Sequence, residues 1–198
     1  MSELPATRTP FTARELLDAL TAAFSDQMGQ PPTHPALVIL AGQIGLETAN
    51  GTACFDWDVG NFKAVPGADY QAFRTWEIVG GKRVDMVCRF AAFPSLQVGI
   101  EAYLHAMYTR WGAAWHYACL GDAAGFAHAL KAAGYYTADE GEYARGVAAR
   151  ASYYAKVLGG DDASTVPELP PFDPRPALPD VTADVLDPDA PGYPGGVA

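Results

Sequence analysis

The 198-residue sequence has few cysteines, no concentration of basic charge and no long unbroken apolar run. Cys54, Cys88 and Cys119 are an odd number without CxxC spacing, so at most one disulfide can form and buried thiols are the expected state. Lys and Arg number 13 against 23 Asp and Glu, and no basic cluster carries interleaved aromatics, which argues against a nucleic-acid-binding surface. The most apolar stretch, residues 36–46, is interrupted by Gln43 and too short to span a bilayer, so no membrane insertion is expected. His34, His105, His116 and His128 show no HExxH or paired-ligand spacing and no Cys partners; surface or core roles suit them better than metal ligation. No serine stands in a GxSxG elbow, there is no GxGxxG, and Gly80-Gly81-Lys82 lacks the earlier glycine of a phosphate loop. No metal or cofactor is implied. The opening MSELPATRTP lacks the basic and apolar regions of a secretory signal, so the expectation is synthesis in the cytoplasm and delivery by some other route.

What is present is material for one helical domain. Hydrophobic residues make up 49% and aromatics 12%, enough for a substantial core. The acidity is uneven: residues 159–198 hold eight acids and one base, whereas residues 1–158 hold fifteen acids and twelve bases. That Pro/Asp/Gly-rich segment, 159–198, reads as an extended or disordered tail. Residues 1–10 read as a loose N-terminal arm, and 11–158 as the folded domain. Within it, Thr12 and Glu15 form a capping-box pattern ahead of an apolar stripe at Leu16, Leu17, Leu20 and Phe24. Gly29-Gln30-Pro31-Pro32 breaks that helix, and Thr33 caps the next. Residues 51–69 read as loop. Two β-prone runs, Tyr70–Val79 and Arg83–Phe93, flank Gly80-Gly81 as a hairpin. Four helices follow: one capped by Ser95, one over Trp111–Leu120, one capped by Asp122, and one over Glu140–Leu158. The expected class is mainly α (α+β), helical with a small inserted β-hairpin.

The stretch that carries chemistry is QIGLETANG, residues 43–51. Glu47 closes an apolar helix one turn before Ala49-Asn50-Gly51, which reads as its stop. Desolvation and the negative end of the helix dipole both favour the protonated carboxyl, as a general acid requires. The plainer alternative makes Glu47 the first polar residue past a core helix, its side chain in water. With hydrolase elbows, phosphate loops and metal motifs set aside, carboxyls in aromatic surroundings remain, and sugars are the usual substrates of that combination.

Four stretches then resemble a known family in its own order. They are QIGLETANG, VGNFKAV, TWEIVGGKRVDMVCRFAAFPSLQVGIEAYL and AGYYTADEGEYARGV, spanning about residues 12–157. Together they resemble the bacterial glucosaminidases of glycoside hydrolase family 73, the flagellar-muramidase and autolysin type with a lysozyme-like fold. The resemblance implies an endo-β-N-acetylglucosaminidase acting on peptidoglycan glycan strands. It puts Glu47 on the general acid, Glu77 on the hairpin glutamate proposed as second carboxylate, and Tyr135 on the tyrosine opposite the catalytic glutamate. Asn61 and Lys63 match the groove loop, and Trp57, Phe62, Trp76, Phe93 and Tyr136 are candidates for stacking on sugar. For each aromatic, and for Tyr135, core packing is the competing role; for Glu77 it is a solvated place on an edge strand. Two departures stand out: the groove loop is shortened to NFKAV, and Ala138 stands where the family often has Asp.

Two other outcomes suit the same residues. A lytic transglycosylase or muramidase would keep the fold and cut differently, and a non-catalytic wall-binding or phage-tail module would keep the fold alone. A phage lysis cassette, a contractile secretion apparatus or fusion to a tail component would each deliver such a protein, with the C-terminal tail as a docking segment for the carrier.

Overall fold

The computed structural model describes residues 2–79 and 82–159, with backbone alone for 75–79 and 82–83. Gly80-Gly81, the expected hairpin turn, and residues 160–198, the expected tail, lie outside the described residues. Six helices and one two-stranded sheet follow in the order α1 (Ala13–Met28), α2 (His34–Glu47), β1 (Tyr70–Val79), β2 (Lys82–Ala91), α3 (Leu96–Thr109), α4 (Gly112–Leu120), α5 (Ala123–Ala132) and α6 (Glu140–Gly159). The mainly helical class with an inserted hairpin is as expected.

Helix starts follow local chemistry. The Thr12 hydroxyl accepts the Glu15 N–H while the Glu15 carboxylate accepts the Thr12 N–H, so α1 opens on a complete capping box. Thr33, Ser95 and Asp122 cap α2, α3 and α5 through single side-chain acceptors. Pro35 sits in the first turn of α2, where a missing N–H costs nothing. Helix α2 is the axis of the domain, since every residue from Ala36 to Glu47 is buried. Its main partner is α6. The two backbones approach closely at Gly42, where a Cβ would stand 2.8 Å from the Val147 carbonyl oxygen and 2.9 Å from the Ala151 nitrogen. This proximity brings the buried α6 stripe Tyr143, Val147, Arg150 and Tyr154 against the C-terminal half of α2. Around the pair, α1, α3 and α5 each bury one apolar face.

The hairpin pairs antiparallel from Tyr70 opposite Ala91 to Val79 opposite Lys82. Strand β2 ends at Ala91, short of the expected Phe93, because the Phe93 N–H goes to the Asp56 carbonyl at 2.8 Å. The loop before the hairpin joins its base: the Ala91 N–H donates to the Phe62 carbonyl at 2.8 Å and the Ala64 N–H to the Arg89 carbonyl at 3.1 Å.

The N-terminal arm is fastened, contrary to the loose segment expected. Leu4 donates to the Tyr70 carbonyl, Thr9 to the Cys54 carbonyl, and the Asp56 N–H to the Thr7 carbonyl. The Asp56 carboxylate accepts the Thr7 N–H in return. Apolar periodicity carries no signal for such a strap, since its bonds are made by backbone and by carboxylates. Cys54 and Cys88 are buried as expected, whereas Cys119 is exposed because α4 turns it outward. No helix among the described residues is long and apolar enough to cross a membrane.

Candidate active site

Glu47 is the last residue of α2, and its side chain is only 3% exposed. The helix stops there because Ala49 and Asn50 take left-handed conformations, at φ 49° and 54°, followed by Gly51 at 85°. The carboxyl is therefore held at a helix end inside the core, and the water-exposed alternative does not apply.

Three side chains donate to it. The Tyr143 hydroxyl donates to Oε1 at 2.8 Å, the Gln43 amide to the same oxygen at 3.2 Å, and the Asn61 amide to Oε2 at 3.1 Å. Asn61 also donates to the Glu47 carbonyl at 3.0 Å, which anchors its side chain on the helix end. Burial pushes the Glu47 carboxyl up to about 7, against the opposing pull of Tyr143, Asn61, Gln43 and the Arg150 charge. Desolvation wins over three hydrogen bonds and a cation, but not by much. The result is a carboxyl that exchanges its proton near neutral pH.

Behind the acid lies a polar web. The Gln43 amide reaches the Tyr135 hydroxyl at 2.9 Å and the Tyr143 hydroxyl at 3.2 Å as well as Glu47. Tyr135 in turn donates to the Gly60 carbonyl at 2.8 Å. Tyr135 thus joins the site through Gln43 and the 51–69 loop, and the tyrosine that bonds the acid directly is Tyr143. Burial, then the Glu47 charge, raises the hydroxyls of Tyr103, Tyr135 and Tyr143 well above the ordinary range, so all three stay neutral, and Tyr135 and Tyr143 act as donors. Arg150 is buried on α6 with its guanidinium on the Gly146 carbonyl.

The other residues singled out in the sequence scatter. Phe62 is half-buried, its ring near Tyr103 at 6.3 Å and Trp111 at 5.7 Å between centroids. The Lys63 ammonium lies 4.8 Å over the Phe90 ring, at the base of the hairpin. Trp57 is half-buried and left-handed at φ 56°, its carbonyl set against α3 where only glycine fits, at Gly99. Phe93 is half-buried at the end of the hairpin. Tyr136 is a core residue instead of a stacking platform: it is 1% exposed, its ring lies flat on Tyr143 at 3.7 Å, and its hydroxyl is given to the Ala127 carbonyl. Glu77 stands on β1 in register with Val84, one residue after Trp76; the side chains of both lie outside the described residues.

Gln43, Asp58, Tyr103, Tyr143 and Arg150 received no role from the sequence. Tyr143 was within reach of it, because its spacing with Val147, Arg150 and Tyr154 marks one helix face turned toward α2. Asp58 carried no such signal, being one acid in a loop rich in acids.

No protein-family model matches the sequence, and a search of curated proteins finds no match. Solved structures do match in fold. The peptidoglycan hydrolase from Sphingomonas sp. A1 superposes with a TM-score of 0.54 at 22% identity, over 79% of this chain and 99% of that one. The catalytic domain of the autolysin Auto from Listeria monocytogenes gives a TM-score of 0.53 at 18% identity, over 74% of this chain and 86% of that one. The chain therefore has the lysozyme-like fold that its four motifs imply.

Proposed function

We propose that the protein is a peptidoglycan hydrolase, an endo-β-N-acetylglucosaminidase in which Glu47 is the general acid. The observation that carries the reading is the Glu47 carboxyl itself: buried at a helix end, held by three donors, and titrating at about 7. The fold shared with a peptidoglycan hydrolase and an autolysin supports the same reading.

In this scheme the transferable proton sits on Oε2, because among the described residues Oε1 already accepts two hydrogen bonds and Oε2 accepts one. That proton passes to the glycosidic oxygen as its bond to the anomeric carbon breaks, and the bonding electrons stay with the departing sugar oxygen. Positive charge develops at the anomeric carbon. A second carboxylate, assigned here to Glu77 on β1, steadies that charge or activates water, and the substrate acetamido oxygen is the alternative internal nucleophile. Water supplies the new hydroxyl, and its proton restores Glu47. Asn61 holds the acid, and Lys63, Trp57 and Trp76 are the proposed glycan contacts.

Mass spectrometry of borohydride-reduced products from purified peptidoglycan tests this, with native protein beside Glu47→Gln. Reduced N-acetylglucosamine ends that vanish in the variant are expected. Reduced muramic ends would make it a muramidase, and 1,6-anhydro-muramic ends a transglycosylase. No products from a folded native protein would leave a binding or structural module.

A further inference from the structure

Asp58 is as deeply buried as the acid, at 3% exposed, yet it has no place in the scheme above. Its Oδ1 accepts the Phe62 N–H at 3.0 Å, and its carboxyl also takes the Gly60 N–H. Those bonds close a tight turn over residues 58–62. Inside it Asn61 is left-handed, at φ 50°, a conformation a non-glycine residue keeps only when its surroundings fix it. The turn has two outputs. The Asn61 amide is aimed at Glu47 Oε2, and the Gly60 carbonyl at the Tyr135 hydroxyl. The other Asp58 oxygen, Oδ2, is buried with no hydrogen-bond partner among the described residues. A half-satisfied buried carboxyl is a poor choice for stability alone, since an apolar residue or a glycine turn would avoid its desolvation.

We propose that Asp58 is the positioning residue of this site, setting the 58–62 turn so that Asn61 delivers its amide to the outer oxygen of Glu47. It touches no reacting atom and acts through Asn61. Its catalytic consequence rests on the glucosaminidase reading; its geometric consequence, the hydrogen bond to Glu47, does not.

The ionisable groups around Glu47 are Tyr103 on α3, Tyr135 before α6, Tyr143 and Arg150 on α6, and Asp58 on the loop that follows α2. Among the described residues Asn61 supplies the one hydrogen bond to Oε2, at 3.1 Å, and it favours the anion. Losing it therefore moves the Glu47 midpoint upward, toward alkaline pH.

The experiment is a carbon-13 carboxyl titration of glutamate-labelled protein by NMR, with the Glu47 resonance identified by its loss in Glu47→Gln. Native protein is compared with Asp58→Ala, Asp58→Asn, Asn61→Ala and the double variant Asp58→Ala/Asn61→Ala. Both alanine variants are expected to raise the Glu47 midpoint alike, the double variant no further than either. Asp58→Asn keeps an acceptor for Phe62 and Gly60 and does not raise it. On glycan, Asp58→Ala loses about tenfold in kcat with little change in KM, and Asp58→Asn keeps most of the native rate. A Glu47 midpoint unmoved in Asp58→Ala or in Asn61→Ala, or raised in Asp58→Asn, overturns the proposal. Should Asp58→Ala fail to fold, the Asn61→Ala and Asp58→Asn titrations still decide it. Native protein inactive on glycan but titrating as described would sink the glucosaminidase reading and leave the positioning role standing.

Discussion

Gln43 and Glu47 stand one helical turn apart on α2, and the amide of the first donates to the carboxyl of the second at 3.2 Å. That amide offers two hydrogens to three acceptors, the others being Tyr135 and Tyr143, while its own Oε1 has no hydrogen-bond partner among the described residues. The glutamine is thus a donor by position, with its acceptor side left unused. A residue that breaks an apolar helix is kept there by the acid it serves.

Stability is expected to depend on pH through Glu47. Its folded-state value, about 7, lies above the ordinary 4.5, so the native state holds this proton more tightly than the unfolded chain does. Its stabilising share is complete below about pH 4.5 and is lost as pH rises through 7, a change of about 3 kcal/mol. Urea unfolding of native protein and Glu47→Gln at pH 5 and pH 8 measures it. The native protein should lose most of this amount relative to the variant between the two pH values. Parallel losses would show that Glu47 titrates like an exposed carboxyl.

With Glu47 as the proposed general acid, activity should fall on the alkaline side with a midpoint near 7, tenfold for each further pH unit, since the protonated carboxyl is then the active form. Tyr143→Phe keeps the ring on Tyr136 and removes the 2.8 Å hydrogen bond to Oε1. The anion loses a donor, so the alkaline midpoint moves up by about one pH unit. A kcat/KM profile of both proteins checks the direction, and a downward move would contradict the assignment of Tyr143 as a donor to the anion.

Much of this was readable in advance, and the misses have physical causes. Thr12, Thr33, Ser95 and Asp122 stand where capping chemistry puts them, because an N-cap is a local contest between a side chain and four unpaired N–H groups. Glu47 was legible because an acid closing an apolar helix is unusual in itself. Tyr135 and Tyr136 are adjacent, yet one bonds into the polar web and the other is a core ring; the turn at Gly134 decides which, and side-chain type does not. Asp58 and the N-terminal strap escape because their bonds join side chains and backbone groups to backbone groups distant in sequence or inside one loop, which no apolar periodicity marks.

Gly42→Ala is expected to destabilise the fold by about 2 kcal/mol, because a Cβ there meets α6 backbone that has no rotamer to change. The same push carries Tyr143 away from Glu47, so the activity midpoint should move as it does in Tyr143→Phe. Denaturant midpoints together with pH profiles test both halves. Stability and profile both unchanged would mean that α2 and α6 are less tightly apposed than described.

Thiol labelling should divide the three cysteines. Cys119 is exposed and reacts first, whereas burial pushes the Cys54 thiol up to about 12 and Cys88 is buried. Native protein treated with an aromatic disulfide reagent should release about one equivalent quickly and the rest on unfolding, with Cys119→Ser removing the fast phase. A fast phase surviving that substitution would place another thiol at the surface.

The fastened arm has a consequence for how the chain is made. Ser2 donates to the Asp69 carboxylate, 67 positions later, and Thr7 to Asp56, 49 positions later. Both donors therefore wait for partners that emerge from the ribosome tens of residues after them. The strap can close only after α1 and α2 have emerged and the start of β1 has followed. Its closure ties the 54–56 segment, just ahead of the turn that reaches Glu47, to residues synthesised well before it.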